Sequence, residues 1–275
     1  MMRTARTTAV VALLAAAAVI ATALVPFARE QLAVRRAIQA LAEPEEPLSG
    51  KQRSFDALLA FGPRALRFQV GSLLRAIDAM LASGIGMRAS EQQAICRLLG
   101  DIAATDPLRL VRAIGPADAP LAFRALLLIG RPDLACPRAR DTVVRREDGA
   151  ELSLEWGGCG PLDVSCQRGG RLTFELETPR AYVLDDGGDA SEVAALGQGP
   201  AEPAPTELPS PGDPRWLSIA GQRDFAIEVG QGYALHLADA HLDLRCLVHV
   251  VEIEPGKSVR IRWRVVEAHK VEAPR

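Results

Sequence analysis

The stretch that decides the fold of the C-terminal half is His241–Lys270, HLDLRCLVHVVEIEPGKSVRIRWRVVEAHK. Apolar and polar residues alternate on both sides of a Pro-Gly turn, which predicts two β-strands joined as a hairpin. If Glu254 lies opposite Lys257, the apolar sets of both strands share one face. Val250 then pairs with Ile261. The segment therefore predicts an antiparallel hairpin with one buried face and one polar face.

Similar alternation occurs upstream of the hairpin. It is found at Leu152–Trp156, Leu172–Leu176 and Phe225–Val229, with Gly and Pro between the segments. Polar members of the pattern, such as Glu155, are expected on a solvated face. Several short alternating strands separated by turn residues predict an antiparallel β-sandwich over residues 146–275.

An acidic stretch interrupts this half. Between Asp185 and Asp213 the chain has seven acidic residues and no basic one, among many Gly, Pro and Ala residues. Such a composition buries too little apolar surface to offset the entropy of ordering. We therefore expect a disordered loop at 185–214, either a solvated insertion or an acidic docking segment.

Residues 31–145 follow a different period. Apolar residues recur there every three or four positions, which predicts amphipathic α-helices. Gly62-Pro63 should break one helix, Ser90 and Asp106 should begin two others, and Gly130 should end a further one. Short helices with brief turns predict a small α-helical hairpin array. Similar Leu-Leu pieces recur at intervals of 40 and 29 residues, which leaves both a degenerate HEAT-like repeat and an irregular bundle open.

The N-terminus carries a long uncharged run. Arg3 and Arg6 precede 22 uncharged residues, Thr7–Ala28, and about 20 apolar residues are enough to span a bilayer as a helix. Residues 1–30 therefore predict a transmembrane signal-anchor, with the membrane contact through residues 7–28 and the bulk of the chain outside the cytoplasm. A cleaved signal peptide ending near Ala23 is the alternative, which would give a secreted or periplasmic protein.

Charge divides the remainder of the chain into two halves. Residues 31–145 contain 16 Lys and Arg against 11 Asp and Glu, a net of +5, and residues 146–275 contain 13 against 22, a net of −9. The difference supports two domains of different class, so the expected fold is α+β and multidomain. A net of +5 on an exported helical domain is modest and does not predict nucleic-acid binding.

Five cysteines fit an oxidising compartment. Cys159 and Cys166 lie in a Gly-rich stretch and could close a small loop as a disulfide. Cys96 and Cys136 could meet through helix packing. Cys246 lies on the inward side of the hairpin and is expected to be a buried free thiol.

The polar face of the hairpin holds the candidate binding residues. His241 and Asp243 are two apart on a strand, so they could offer a nitrogen and an oxygen ligand to a divalent metal. A positive strip on the same face could bind a glycan or another anion through Arg260, Arg262, Arg264 and His249.

No sequence motif assigns a reaction. The chain lacks a phosphate-binding Gly-rich loop in the right context and a Gly-x-Ser-x-Gly nucleophile elbow. We therefore expect no catalytic residue and no cofactor. The leading hypothesis is a non-enzymatic envelope protein that binds another envelope protein. A glycan- or anion-binding module is the first alternative, and a metal-dependent hydrolase using His241 and Asp243 is the second.

Overall fold

The chain has an α+β fold. In the computed structural model, residues 22, 24–83, 85–114, 120–159, 171–184, 191–198, 208–219, 224–238 and 241–271 are described, and they form seven α-helices and two antiparallel sheets. Contacts divide the chain into two compact units, Met1–Gly84 and Ile85–Arg275. The boundary at 145/146 that composition predicted falls inside the second unit, because the helices that follow Gly84 group with the strands rather than with the first three helices.

The described residues of the first unit form three helices, α1 (24–42), α2 (Leu48–Leu66) and α3 (Val70–Ala82). Their apolar faces form its core, which includes Val34, Ile38, Leu41, Phe55, Leu58, Leu66, Leu73 and Ile77. The predicted break at Gly62-Pro63 is a kink within α2, where Gly62 has φ 72° and ψ −178°. Only glycine adopts such angles without strain.

A buried lysine closes the end of α1. Lys51 is 1% exposed, and its Nζ donates hydrogen bonds to the carbonyl oxygens of Leu41 (3.2 Å) and Glu43. The last carbonyls of a helix have no partner within the helix, and a cation there also suits the helix dipole. Lys51 therefore fixes the turn between α1 and α2.

Most of the predicted membrane segment, residues 7–28, lies outside the described residues. Among the residues that are described, no helix combines the length and the apolar composition needed to cross a bilayer.

Four short helices open the second unit: α4 (Ala89–Thr105), α5 (Pro107–Ile114), α6 (Pro120–Leu128) and α7 (Pro132–Ala135). The predicted start at Asp106 is confirmed, since its carboxylate accepts the backbone N–H of Arg109 at 3.2 Å. Gly130 ends α6 as predicted, with φ 70° and hydrogen bonds that return to Leu126 and Leu127.

The predicted N-cap of α4 is wrong by two residues. The cap is Arg88 rather than Ser90, and the Glu91 carboxylate accepts the backbone N–H of Arg88 at 2.9 Å. A glutamate at the third helical position accepts the backbone N–H of the cap residue, and this hydrogen bond does not require a serine at the cap. Ser90 therefore lies inside the first turn.

Eleven strands lie within the described part of the second unit. The six-stranded sheet has the order β1-β11-β10-β9-β6-β7, and the five-stranded sheet has the order β3-β2-β4-β5-β8. All the pairings are antiparallel. The strands are β1 (Arg140–Arg145), β2 (Glu151–Ser153), β3 (Gly158–Cys159), β4 (Arg171–Glu175), β5 (Arg180–Leu184), β6 (Glu192–Gln198), β7 (Leu217–Ser218), β8 (Asp224–Ala226), β9 (Gln231–Ala238), β10 (Leu242–Glu254) and β11 (Ser258–Lys270).

The C-terminal hairpin, β10–β11, has the predicted register at its centre and a different turn. Val250 pairs with Ile261, but Glu254 pairs with Ser258 rather than with Lys257. A β-bulge after Val250 absorbs the extra turn residue. The bulge keeps the apolar side chains on either side of it on the same face of the sheet.

Both sheets contribute to one apolar layer. Leu172, Phe174, Phe225 and Ile227 of the five-stranded side and Tyr233, Leu235, Val248 and Val250 of the six-stranded sheet line the same cavity of about 10 Å³. That volume is about the least that one water molecule requires. On its β11 side the hairpin packs on the helices instead, where the rings of Phe123 in α6 and Trp263 in β11 meet edge to face at 6.2 Å.

Two sequence predictions in this half are corrected. Within the loop predicted to be disordered, residues 192–198 form β6, because β9 provides an edge to pair with and Val193 and Ala194 are buried there. Two of the other predicted strands are shorter than expected. Residues 154–157 form a turn, and β8 ends at Ala226.

Candidate functional site

The predicted binding residues lie on the face of the six-stranded sheet opposite to the five-stranded sheet, here called the polar face. Its centre is a small apolar cluster of Ala194, Ala234 and Leu247, against which Leu208 and Trp216 pack. Charged and histidine side chains lie on both sides of this cluster. The segment that carries Leu208 and Trp216 therefore covers the middle of the face.

One row of polar residues crosses five neighbouring strands. Backbone pairing aligns Ser218, Glu192, His236, Arg245 and Glu267 in that order. Neighbours in such a row are close enough for their side chains to interact. Arg245 and Glu267 form an ion pair at 3.2 Å.

His236 is held between two carboxylates. Its Nδ1 lies 3.2 Å from Oε2 of Glu192 and its Nε2 lies 2.9 Å from Oδ1 of Asp243. The ring of Trp216 contacts the imidazole edge to face at 6.4 Å. A protonated imidazole can donate to both carboxylates at once, whereas a neutral ring can donate to only one. The arrangement orients the ring and connects three strands.

The predicted metal ligands have separate partners. Asp243 contacts His236, as described above, whereas His241 accepts a hydrogen bond at its Nε2 from the side-chain amide of Gln93 in α4 at 2.9 Å. Within the described ranges, no three His, Cys, Asp or Glu side chains are grouped so that they could hold a metal ion. A metal site at His241 and Asp243 stays a prediction.

Two arginines of the predicted positive strip share a carboxylate. Arg260 donates two hydrogen bonds of 2.8 Å to the two oxygens of Asp141 in β1, and Arg262 donates a third at 3.4 Å. The hydrogen bonds from Arg260 are the main reason why the pKa of Asp141 lies below its usual range. Much of the positive charge that the sequence placed on this strand is thus matched from β1.

The other two residues of the strip are less exposed. The Nε of Arg264 is buried without a hydrogen-bond partner among the described residues. His249 is 5% exposed and pairs across the strands with Arg262 and Gly232. Burial lowers the pKa of His249, and the nearby charge of Arg262 adds to this effect.

The cysteine predictions have different outcomes. The proposed Cys159–Cys166 disulfide lies outside what the structure describes, since Cys166 and the side chain of Cys159 are not described. Cys96 and Cys136 are buried and neither forms a disulfide, so the predicted pairing between them is wrong. Cys246 is a fully buried free thiol, as predicted. Burial raises the pKa of Cys136 to about 11, which keeps it protonated and unreactive at neutral pH.

The sequence analysis missed a buried polar cluster. Arg124 in α6 and Glu155 in the turn after β2 are 6% and 3% exposed and form an ion pair. The guanidinium of Arg124 also lies 5.0 Å from the ring centroid of Trp156. Alternation predicted a solvated Glu155, which is wrong because α6 covers this side of the turn and supplies the cation. A single arginine within the apolar run of α6, PLAFRALLL, was the available signal.

Two further arginines extend this cluster. Arg171 in β4 forms an ion pair with Glu151 in β2 at 2.7 Å. Arg140 donates to the carbonyl oxygen of Gly157 at 2.8 Å, and its guanidinium lies 4.8 Å from the ring centroid of Phe123. The cluster therefore joins helix, turn and both sheets through charged groups that have partners.

We predict that breaking the Arg124–Glu155 pair from one side is far more damaging than replacing both partners. Arg124→Met alone removes the cation that lies against the buried Glu155 carboxylate and should cost about 3–5 kcal/mol of unfolding free energy. The double variant Arg124→Met/Glu155→Leu should recover most of that loss, since neither charge of the pair then stays buried without the other. Urea unfolding followed by tryptophan fluorescence measures this, because all three tryptophans lie in the second unit.

The exposed pair Arg131–Asp133 provides the control for this prediction. Its side chains are 43% and 59% exposed, so Arg131→Met should change the unfolding free energy by at most about 1 kcal/mol. Equal losses for Arg124→Met and for the double variant would contradict a buried ion pair.

We predict a pH effect from His249. Its pKa is lowered from the usual 6.5 in the folded state, so the unfolded chain binds more protons as the pH falls below 6.5. The contribution of His249 therefore lowers stability as the pH falls through 6.5, and this loss is absent above that value. His249→Gln should lose less unfolding free energy than the unsubstituted chain between pH 7.5 and pH 5.5. His269→Gln, which changes an exposed histidine of the same hairpin, is the control, and identical pH profiles for His249→Gln and the unsubstituted chain would refute the prediction.

The polar face thus consists largely of charges matched within the sheet, around a covered apolar centre. Comparisons with known proteins gave no match to a protein-family model, to a curated protein or to a solved structure.

Proposed function

We propose that the chain is a membrane-anchored envelope protein that acts by interaction or assembly, not by catalysis. Its anchor is the uncharged run Thr7–Ala28, and the bulk of the chain lies outside the cytoplasm. The partner of the folded part is another envelope protein. In the alternative form of the proposal, cleavage near Ala23 releases the mature chain as a secreted or periplasmic protein.

The observation that carries this proposal is the continuity of α1. Among the described residues, the helix runs without a break from residue 24, inside the uncharged run, to residue 42. Val34, Ile38 and Leu41 on the later part of the helix are buried in the first unit. The end of the apolar run is therefore part of a helix that the folded unit holds in place.

The early part of α1 supports the proposal further. Leu24, Val25, Phe27 and Leu32 are between 44% and 56% exposed. Isolated exposed apolar residues are ordinary, but a concentration of them on one element is typical of a protein or membrane contact. Leu24, Val25 and Phe27 lie within the predicted anchor, and Leu32 follows it after one helical turn.

The polar face suits contact with a partner better than it suits chemistry. His236, Arg245 and Arg260 are each matched by a carboxylate, so a partner meets fixed hydrogen-bonding groups with little net charge. Polar interfaces of this kind form specific but modest complexes, in which complementary groups set orientation. The helical domain, in its HEAT-like or irregular form, would supply a second contact surface.

A second candidate function is recognition of a glycan or an anion by the strip Arg260, Arg262, Arg264 and His249. The buried Nε of Arg264, which has no partner among the described residues, favours it. Asp141 weakens it, because this carboxylate already binds Arg260 and Arg262.

We predict that charges within Thr7–Ala28 abolish membrane anchoring. Ala16→Lys/Val19→Lys places two ammonium groups in the run, each costing about 2.5–3.5 kcal/mol at the centre of a bilayer helix. The full chain, expressed in a bacterial host, should remain in the membrane pellet after alkaline extraction, whereas this variant should not.

Ala16→Leu/Val19→Leu, which keeps the run apolar, is the matched control and should behave like the unsubstituted chain. Intact mass then distinguishes the two forms of the proposal, since cleavage near Ala23 removes the first residues. Recovery of the full-length, unsubstituted chain in the soluble fraction would contradict both.

The anion-binding alternative makes a distinct prediction. If the strip binds sulfated glycans, Asp141→Asn removes the competing carboxylate and should strengthen binding on a glycan array. Arg260→Gln/Arg262→Gln/Arg264→Gln should abolish it. No binding by either the unsubstituted chain or Asp141→Asn would eliminate this function.

A further inference from the structure

One end of the first unit combines aromatic and basic side chains. Helices α1 and α2 are antiparallel, and Gln31 Nε2 donates to the carbonyl oxygen of Ala65 at 2.9 Å. The start of α1 thus lies beside the end of α2. There the rings of Phe27 and Phe68 meet edge to face, with centroids 5.9 Å apart, and the guanidinium of Arg67 lies 4.6 Å from the ring centroid of Phe68.

The side chains at this end remain substantially exposed in spite of their mutual contact. Phe27 is 44% and Phe68 is 47% exposed, and Leu24 and Val25 beside them are 56% and 48% exposed. We call Leu24, Val25, Phe27 and Phe68 the aromatic end. Four large apolar side chains on one end of a small helical unit require a partner that excludes water.

Charge differs between the two ends of the α1–α2 hairpin. The aromatic end carries Arg29, Arg64 and Arg67 against one acidic residue, Glu30. The opposite end holds three acidic residues, Glu43, Glu45 and Glu46, against two basic ones: Lys51, which is buried against helix carbonyls, and Arg53, whose Nε donates to the carbonyl oxygen of Ser49 at 3.3 Å. A helix of 19 residues separates the ends by about 28 Å.

We propose that the aromatic end lies in the interfacial layer of a lipid bilayer. Phe27 and Phe68 contact the acyl-chain boundary there, and Arg64 and Arg67 contact anionic lipid phosphates. The inference rests on the proposed function, since the uncharged run Thr7–Ala28 ends at this point and brings the bilayer to it. Aromatic and basic residues are typical of such interfaces.

The position of the apolar run favours a bilayer over a second copy of the chain. In the anchored chain, Leu24, Val25 and Phe27 belong both to the uncharged run and to the aromatic end. A bilayer that accommodates the run therefore reaches Phe27, whose ring contacts that of Phe68. The basic charge complements an anionic surface, whereas two copies that met through this end would bring like charges together.

The experiment places a tryptophan at each end of the hairpin in the full chain. Phe68→Trp probes the aromatic end, and Leu48→Trp, at a residue 66% exposed, probes the opposite end. Each variant is reconstituted into phosphatidylcholine–phosphatidylglycerol vesicles with and without brominated acyl chains, which quench nearby tryptophans. The signal of Trp156, Trp216 and Trp263 is measured on the unsubstituted chain and subtracted.

We expect quenching at position 68 to exceed that at position 48 by at least about threefold, because interfacial side chains lie within about 5–10 Å of the acyl chains. Val25→Trp lies inside the uncharged run, so it reports insertion of the anchor and is the positive control for quenching. Far-ultraviolet circular dichroism of Phe68→Trp checks that its helices are intact. Adding Arg64→Gln/Arg67→Gln to Phe68→Trp should reduce the quenching in vesicles that contain phosphatidylglycerol and leave it unchanged in pure phosphatidylcholine.

The outcomes separate this inference from the proposed function. Equally weak quenching at positions 68 and 48, with strong quenching at position 25 in a chain that floats with the vesicles, overturns the inference and leaves the anchor intact. A chain that does not float overturns the proposed function itself. If the indole introduced by Phe68→Trp becomes shielded from water as the protein concentration rises, and brominated lipid does not quench it, the occupant is a second copy of the chain. That result also overturns the inference.

Discussion

The pairing of β10 with β11 is the constraint on which the second unit depends. β11 provides the edge for β1, and β10 provides the edge for β9. On the β10 side the inward face of the hairpin carries Val248 and Val250, which meet the five-stranded side, and on the β11 side Trp263, directly opposite Val248, meets α6. Bulges after Val250 and before Cys246 keep apolar residues inward over strands of thirteen residues each. Without them, the residues beyond each bulge would present their polar side chains to the core.

Buried charges determine how the other elements pack around this hairpin. The Arg124–Glu155 pair fixes α6 on the turn after β2, and Lys51 plays a comparable part in the first unit by closing α1. Such groups contribute little net stability, because removing them from water costs about as much as their attraction returns. An arrangement that separates the partners, however, leaves a charge buried without compensation. The cluster thereby favours one packing over its competitors.

The two units present different kinds of surface. The first concentrates exposed apolar side chains and arginines at the Phe27–Phe68 contact, next to the uncharged run. The second presents a polar face on which His236 lies between Glu192 and Asp243, and Asp141 binds Arg260 and Arg262. One chain can use the first surface for membrane attachment and the second for recognition of a partner, because different residues of different units form the two surfaces.

The sequence by itself determined the local features. The spacing of apolar residues and the positions of turn residues predicted the helices, the end of α6 at Gly130 and the central register of the hairpin. Each of these features depends on residues only a few positions apart. Of the candidate site, it identified the residues of the polar face but not their partners. The tertiary structure alone decided that Glu155 is buried, that residues 192–198 form a strand and that Asp141 binds Arg260. Each of these depends on a group 31 to 119 positions away along the chain or on a free strand edge, and no local pattern in sequence encodes which distant groups will meet.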